Sequence, residues 1–159
     1  LTKSGDKALS IKVNDGSSSI NYMLSDTSII NDPPQMKTIP DFELSVDITP
    51  QFINKFIAGK GALSEAENFT VLTDGTSTKI VIGYAEVNTN RVTIPVTTSK
   101  VSDIEKVSFS ASMFKEILIA NKECESATLE ISSQGLSKIN FKVDDYTSTY
   151  WLVGTSELD

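Results

Sequence analysis

Lys106-Val-Ser-Phe-Ser-Ala-Ser-Met-Phe-Lys-Glu-Ile-Leu-Ile-Ala-Asn-Lys122 decides how the rest of the chain is read. Its first five residues alternate polar and apolar, the period of a strand with one buried face. Met113, Phe114, Ile117 and Leu118 then repeat at helical spacing, and Ser110 or Ser112 is placed to cap that helix. Three short strand-like runs follow, Ala127–Ile131, Lys138–Val143 and Ser148–Val153, separated by Ser133-Gln-Gly and Asp144-Asp-Tyr-Thr. The same order occurs upstream. Leu44-Ser-Val-Asp-Ile-Thr is the alternating strand, and Phe52, Ile53, Phe56 and Ile57 mark the helix. Phe69–Leu72, Lys79–Ile82 and Arg91–Val96 are the three strands. The two copies align at an offset of about sixty residues by hydrophobic period, which predicts one domain of two similar halves with a joined sheet. The fold class is α+β: tandem β-α-β-β-β units, with two helices on one face of a mostly antiparallel sheet.

The flanking segments are simpler. Ala8–Val13 and Ile20–Leu24 read as strands joined by Asn14-Asp-Gly. If they belong to a third copy, its strand and helix are missing. Residues 30–41 hold three of the five prolines and read as an extended connector, because proline cannot feed a central ladder. Met36 and Ile39 are its apolar exceptions. In the first full copy Thr49 is an N-cap with Pro50 at the first helical position, and the helix should stop near Gly59-Lys-Gly61. Thr73-Asp-Gly-Thr and Val87-Asn-Thr-Asn-Arg91 are hairpin turns, and 97–105 links the copies. The N-terminus lacks a start Met and a signal-peptide pattern, and reads as cut from something longer.

Composition removes several function classes. The 159 residues are 39% hydrophobic with mean hydropathy near zero, which fits a packed domain. No run approaches the roughly 18 apolar residues of a membrane span. The single cysteine, Cys124, cannot form a disulfide within the chain and reads as an inert apolar residue at a helix end. No histidine is present, which excludes the commonest general base, the commonest zinc ligand and every Ser-His or Cys-His nucleophile pair. Asp144-Asp145 could pair as carboxylates, but a hairpin turn explains them better. Gly59-Lys60-Gly61 lacks the upstream glycine and following Ser/Thr of a phosphate loop. No catalytic residue, cofactor or metal ligand is assigned.

Charge is unevenly spread. The net charge is −7, yet Pro50–Lys60 holds Lys55 and Lys60 without an acid. Ala111–Lys122 holds Lys115 and Lys122 against Glu116, and Lys100 lies upstream. Lysine on an amphipathic helix is most often solvated surface. A basic helical face on an acidic body is also a route to phosphate-backbone contact without base reading. Tyr150-Trp-Leu-Val-Gly154 carries a second signal, since Tyr150 and Trp151 must point to opposite faces of one strand. One aromatic therefore lies outside the core, where with Met36 and Ile39 it could line a shallow apolar groove.

The tandem unit, the helical lysines, the proline-rich connector and the aromatic–aromatic–Leu run near the C-terminus resemble the DNA polymerase sliding clamps. The likeness is closest to those of tailed phages, with proliferating cell nuclear antigen more distant. Phe109–Lys122 with its strands looks like the last repeat of that family. Gly154 stands where cellular clamps continue with proline. The resemblance implies the DNA clamp fold. Residues 1–29 would be the last strands of an incomplete N-terminal clamp domain, 30–41 the interdomain connector and 42–159 a complete C-terminal clamp domain. It also implies a non-enzymatic ring in the cytoplasm, that of the infected host cell if viral, which encircles duplex DNA and tethers the replicative polymerase. Lys55, Lys60, Lys100, Lys115 and Lys122 would face DNA. Met36, Ile39, Trp151, Leu152 and Val153 would receive peptides from the polymerase and clamp loader. Ile20, Tyr22 and Leu24 of one subunit would meet Arg91, Thr93 and Pro95 of the next in a homotrimer. The competing reading is a non-enzymatic phage structural or adhesion β-rich module, which would bury its helices or lack them.

Overall fold

The computed structural model describes residues 1–31, 38–87 and 89–155. The chain forms two compact units, Leu1–Ile39 and Pro40–Asp159. The first is a three-stranded antiparallel sheet, β1 (Thr2–Ser4), β2 (Lys7–Asn14) and β3 (Ser19–Met23), followed by one 3-10 turn at Thr27–Ile29. Strand β1 and the 3-10 turn carry no periodic signal and were not expected from the sequence. The turn between β2 and β3 is closed by Asp15, whose carboxylate accepts the backbone N–H and hydroxyl of both Ser17 and Ser18. Ile11 lies opposite Tyr22 and Val13 opposite Ile20, and the Leu24 N–H donates to the Leu9 carbonyl at 2.9 Å. These pairings gather six apolar side chains on one face of the sheet.

The second unit contains both repeats. The first is β4 (Leu44–Ile48), α1 (Pro50–Ala62), β5 (Asn68–Thr73), β6 (Thr78–Ile82) and β7 (Val92–Val96), followed by a short β8 (Thr98–Lys100). The second is β9 (Val107–Ser110), α2 (Ala111–Ala120), β10 (Ser126–Ser132), β11 (Leu136–Val143) and β12 (Tyr146–Val153). The repeats do not close on themselves. One sheet runs β12-β11-β10-β4-β8 and the other β7-β6-β5-β9, all antiparallel. The first strand of each repeat is thus the fourth strand of the other's sheet, giving two exchanged sheets in place of one joined sheet. Residues 98–100, read from sequence as linker, extend the first sheet instead.

Local chemistry sets the helix ends. The Thr49 hydroxyl accepts the Phe52 N–H at 3.1 Å, with Pro50 behind it. The Ser110 hydroxyl accepts the Met113 N–H at 3.3 Å. Helix α1 continues through Gly59 and Gly61 to Ala62. Gly59 is a packing position: a Cβ there would lie 2.9 Å from Val92 Cγ1 and 3.2 Å from Ile82 Cδ1, so only hydrogen lets the helix approach β6 and β7 so closely. Helix α2 stops at Asn121, whose amide donates to the Ile117 carbonyl (2.8 Å) and the Tyr150 hydroxyl (3.1 Å).

The core lies between helices and sheets and is dominated by phenylalanine. The Phe114 ring sits 4.9 Å from both Phe56 and Phe69, and Phe69 reaches Phe109 at 5.7 Å. Phe52, 6.3 Å from Phe114, completes the contact between α1 and α2. The helices are therefore neighbours. Cys124 is buried, and burial pushes its thiol above the usual range, as suits an inert residue.

Candidate functional site

Helices α1 and α2 pack through Phe52, Phe56 and Phe114, which leaves their far faces outward. On α1 that face carries Gln51, Asn54, Lys55 and Ala58, with no acid anywhere in the helix. On α2 it carries Ser112, Met113, Glu116 and Ile119, with Lys115 half-buried and Lys122 exposed just beyond the end. None of Lys55, Lys115 and Lys122 has an ion-pair partner among the described residues. Exposed Glu116 lies on the same face of α2, so the positive charge of this helix pair is concentrated at Lys55, Lys115 and Lys122.

The other two lysines are engaged with their own backbone. Lys60 is only 7% exposed, and its Nζ donates to the Ser64 carbonyl at 2.6 Å and the Leu63 carbonyl at 3.5 Å. It closes the C-terminus of α1, where cations are favoured. Sequence spacing could not show this, because the acceptors belong to the chain just after the helix. Lys100 Nζ donates to the Phe42 carbonyl.

Around Trp151 the expected set divides by strand alternation. Tyr150 and Leu152 face the core: Leu152 is 3% exposed and Tyr150 meets Phe141 edge-on at 5.9 Å. Trp151 and Val153 lie on the opposite, outer face. There Trp151 packs 6.2 Å from Phe42, under Lys138 Nζ at 6.0 Å from the ring centre. Leu136, opposite Val153 on β11, extends this surface. Phe42, Leu136 and Lys138 were missed by sequence reasoning. Phe42 could have been found, as an aromatic isolated just after the proline segment. Met36 lies outside the described residues, and Ile39 belongs to the first unit, where it is exposed. Lys138 is tied to Glu130 at 3.1 Å and Lys142 to Glu125 at 3.5 Å. Glu43 fixes the nearby β10–β11 turn by accepting the Ser133 N–H and hydroxyl. Burial opposes its ionisation, but the bonds from Ser133 prevail and hold its carboxyl below the ordinary value.

The strand edges hold the third expected set. Strand β3 is an outer strand of its sheet, with Ile20 and Tyr22 exposed and Leu24 just past its end. Strand β7 is an outer strand of its own, with Thr93 and Pro95 exposed and Arg91 just before it. Pro95 fits there because an edge strand need not supply its outward N–H.

Asp144 and Asp145 form the β11–β12 turn, with Asp144 at φ 49°, a conformation aspartate tolerates. Among the described residues no cluster of acidic or thiol groups could hold a metal ion, and no helix is long and apolar enough to cross a membrane.

No protein-family model and no curated protein matches the sequence. Solved structures do match. Proliferating Cellular Nuclear Antigen from Entamoeba histolytica aligns at 13% identity with a TM-score of 0.63, covering 96% of this chain and 61% of that one. The DNA polymerase sliding clamp from Pseudomonas aeruginosa, solved with a ligand, aligns at 14% identity and TM-score 0.61, over 92% of this chain and 40% of that one. A structure of the C-terminal region of FEN-1 bound to A. fulgidus PCNA gives 15% identity and TM-score 0.68, over 97% and 62%. The chain thus spans about three fifths or less of each. The arrangement of two helices over exchanged antiparallel sheets is the DNA clamp fold.

Proposed function

We propose that this chain is the larger part of a sliding clamp of tailed-phage type, which encircles duplex DNA and tethers the replicative DNA polymerase in the cytoplasm of the infected cell. The observation that carries the reading is the helix pair. Phe114 joins α2 to α1, α1 has no acid, and Lys55, Lys115 and Lys122 have no ion-pair partner among the described residues. A virion structural or adhesion module would bury its helices or lack them, whereas α1 and α2 each keep an exposed face here. In this reading the protein performs no covalent chemistry. The lysines meet phosphates without reading bases, so the duplex slides. The three-stranded sheet ends a preceding clamp domain. Strand β3 pairs with β7 of the next subunit in a trimeric ring, and the Trp151 surface takes polymerase and clamp-loader peptides.

The test is duplex binding followed by fluorescence anisotropy across salt concentration. Affinity should be weak, independent of sequence and steeply salt-dependent, since each phosphate contact contributes about 0.9 to the slope of log K against log salt. Replacing Lys55, Lys115 and Lys122 together with alanine should flatten that slope by up to about 2.7. Sequence-selective binding, or a slope unchanged in the triple variant, would refute the reading. Sedimentation of Tyr22→Asp and Pro95→Asp against the parent chain tests ring contact separately.

A further inference from the structure

We propose that Glu116 sets how firmly the helix pair grips a duplex: its unpaired carboxylate on the outward face of α2 repels the phosphate backbone and holds down the affinity supplied by Lys55, Lys115 and Lys122. The proposal deepens the duplex-binding reading of this surface and rests on it.

Of the 21 acidic residues in the chain, Glu116 alone lies in α1 or α2. It stands about 200° around the helix from Phe114, the ring that seats α2 on α1, and so points away from the core. It is exposed, and among the described residues it forms no ion pair. The ordinary uses of a helical carboxylate are all missing. The positions three and four residues away hold Ser112, Met113, Ile119 and Ala120, so no cation stands where a helical pair would form. Lys115 is adjacent in sequence, a spacing at which helical side chains do not face each other. The first turn, where a carboxylate complements the helix dipole, is Ala111–Phe114, and Ser110 already supplies the cap. Elsewhere in the same unit acids are matched: Glu130 meets Lys138 and Glu125 meets Lys142. The charge of Glu116 is therefore left for whatever meets this face.

Its neighbours on that face do nothing to neutralise it. Met113 and Ile119, 59% and 39% exposed, flank it along the helix and offer no donor. A fixed negative charge within a screening length of a phosphate backbone, about 8–10 Å at moderate salt, raises the free energy of the bound state. The three lysines supply the attraction, and Glu116 subtracts from it at the same surface. A sliding duplex must break and remake each contact, which a weaker grip makes faster.

The experiment measures anisotropy of a labelled duplex at about 50 and 200 mM salt with the whole chain as parent, Glu116→Gln and Asp145→Asn. Both substitutions change the net charge by one, but Asp145 is exposed in the β11–β12 turn, outside both helices. Glu116→Gln should tighten binding about threefold at the lower salt, the factor that one repulsion in water gives at about 6 Å, and the gain should shrink at the higher salt. Its urea midpoint should match the parent, because no partner is lost. Asp145→Asn should leave the affinity unchanged. Glu116→Lys, which turns the repulsion into a contact, should steepen the slope of log K against log salt by up to about 0.9. Equal gains in Glu116→Gln and Asp145→Asn would reduce the effect to net charge and overturn the proposal. No gain in Glu116→Gln, where the triple lysine variant still flattens the slope, would overturn the role of Glu116 and leave the duplex reading standing. No duplex binding by the parent at either salt would overturn both.

Discussion

Phe114→Ala should be among the most costly single truncations on the helices, because this ring joins both helices to a sheet. It is fully buried, 4.9 Å from Phe56 and from Phe69, and 6.3 Å from Phe52. Removing a buried phenylalanine side chain costs about 3–5 kcal/mol, the upper part when the neighbours cannot collapse into the space. Here the cavity is walled by three rings from two different elements, so about 4 kcal/mol is expected. With a urea slope of about 2 kcal/mol/M, the midpoint should fall by roughly 2 M. The chain's single tryptophan lies on the far face of the sheet, so its fluorescence reports global unfolding and not local repacking. A double-mutant cycle adds a second reading. Phe56→Ala should cost a similar amount, but the double variant should cost less than the sum by at least about 1 kcal/mol, since the two rings meet edge-on and share one cavity. A Phe114→Ala cost below about 1 kcal/mol, or strict additivity with Phe56→Ala, would mean that α1 and α2 are not packed through this ring. The case for a shared lysine surface would fall with it.

Three further outcomes follow from named contacts. Lys60→Ala should destabilise the chain by about 1–3 kcal/mol, since the Ser64 and Leu63 carbonyls lose a charged donor, yet leave the salt dependence of duplex binding unchanged; the reverse pattern would place Lys60 on the DNA face. Tyr150→Phe should cost about 0.5–1.5 kcal/mol in urea titrations, because the Asn121 amide keeps only the Ile117 carbonyl; no measurable loss would mean that this bond does not hold β12 to α2. The Asp74 carboxyl accepts the hydroxyls and N–H groups of Thr76 and Ser77, the Thr76 hydroxyl first, and is held well below its ordinary value of 3.8. A depressed folded value means stabilisation that is complete above the unfolded value and is lost as pH falls towards the folded one. The stability gap between the parent and Asp74→Ala should therefore be constant from pH 5 to 7 and shrink below about pH 4, and a gap independent of pH would contradict the loop geometry.

How much of this was legible in the sequence depends on distance along the chain. Both helices, the cap at Thr49, the pair Ser110 or Ser112 for the second cap, and the turns at Asp15, Asp74 and Asp144 were readable because each is decided within a few residues. The hydrophobic period also identified the repeat. What periodicity does not contain is pairing between remote strands. Nothing local states that Leu44–Ile48 should lie beside Ser126–Ser132 and not beside its own repeat, so a joined sheet was expected where two exchanged sheets occur. Thr98–Lys100 is too short to show alternation. The helix end near Gly59-Lys-Gly61 was readable to within a residue or so, but the packing role of Gly59 was not, because it is set by Val92 and Ile82, more than twenty positions away. At the candidate site, Lys55 and Lys115 were legible as cations on helices, while Lys122 falls just past the end of α2. The withdrawal of Lys60 onto carbonyls, and the Phe42–Trp151 contact, required the folded geometry.

The strand exchange also explains why two separate helices can act as one surface. Strand β4 lies in the sheet of the second repeat and passes through Thr49 directly into α1, which then packs on β7 through Gly59 and meets Phe69 of β5 through Phe56. Strand β9 lies in the sheet of the first repeat and passes through Ser110 into α2, which returns to β12 through Asn121. Each helix thus begins at one sheet and is anchored on the other. Two such crossings within one core must run side by side, and the phenylalanine cluster fills the space between them. Their outward faces are fixed relative to each other by the core and not by any contact between the lysines. In the proposed reading that separates the two requirements of a surface that slides on a polyanion. The rigid part is apolar and buried, while Lys55, Lys115 and Lys122, without ion-pair partners among the described residues, would be left to exchange phosphates quickly.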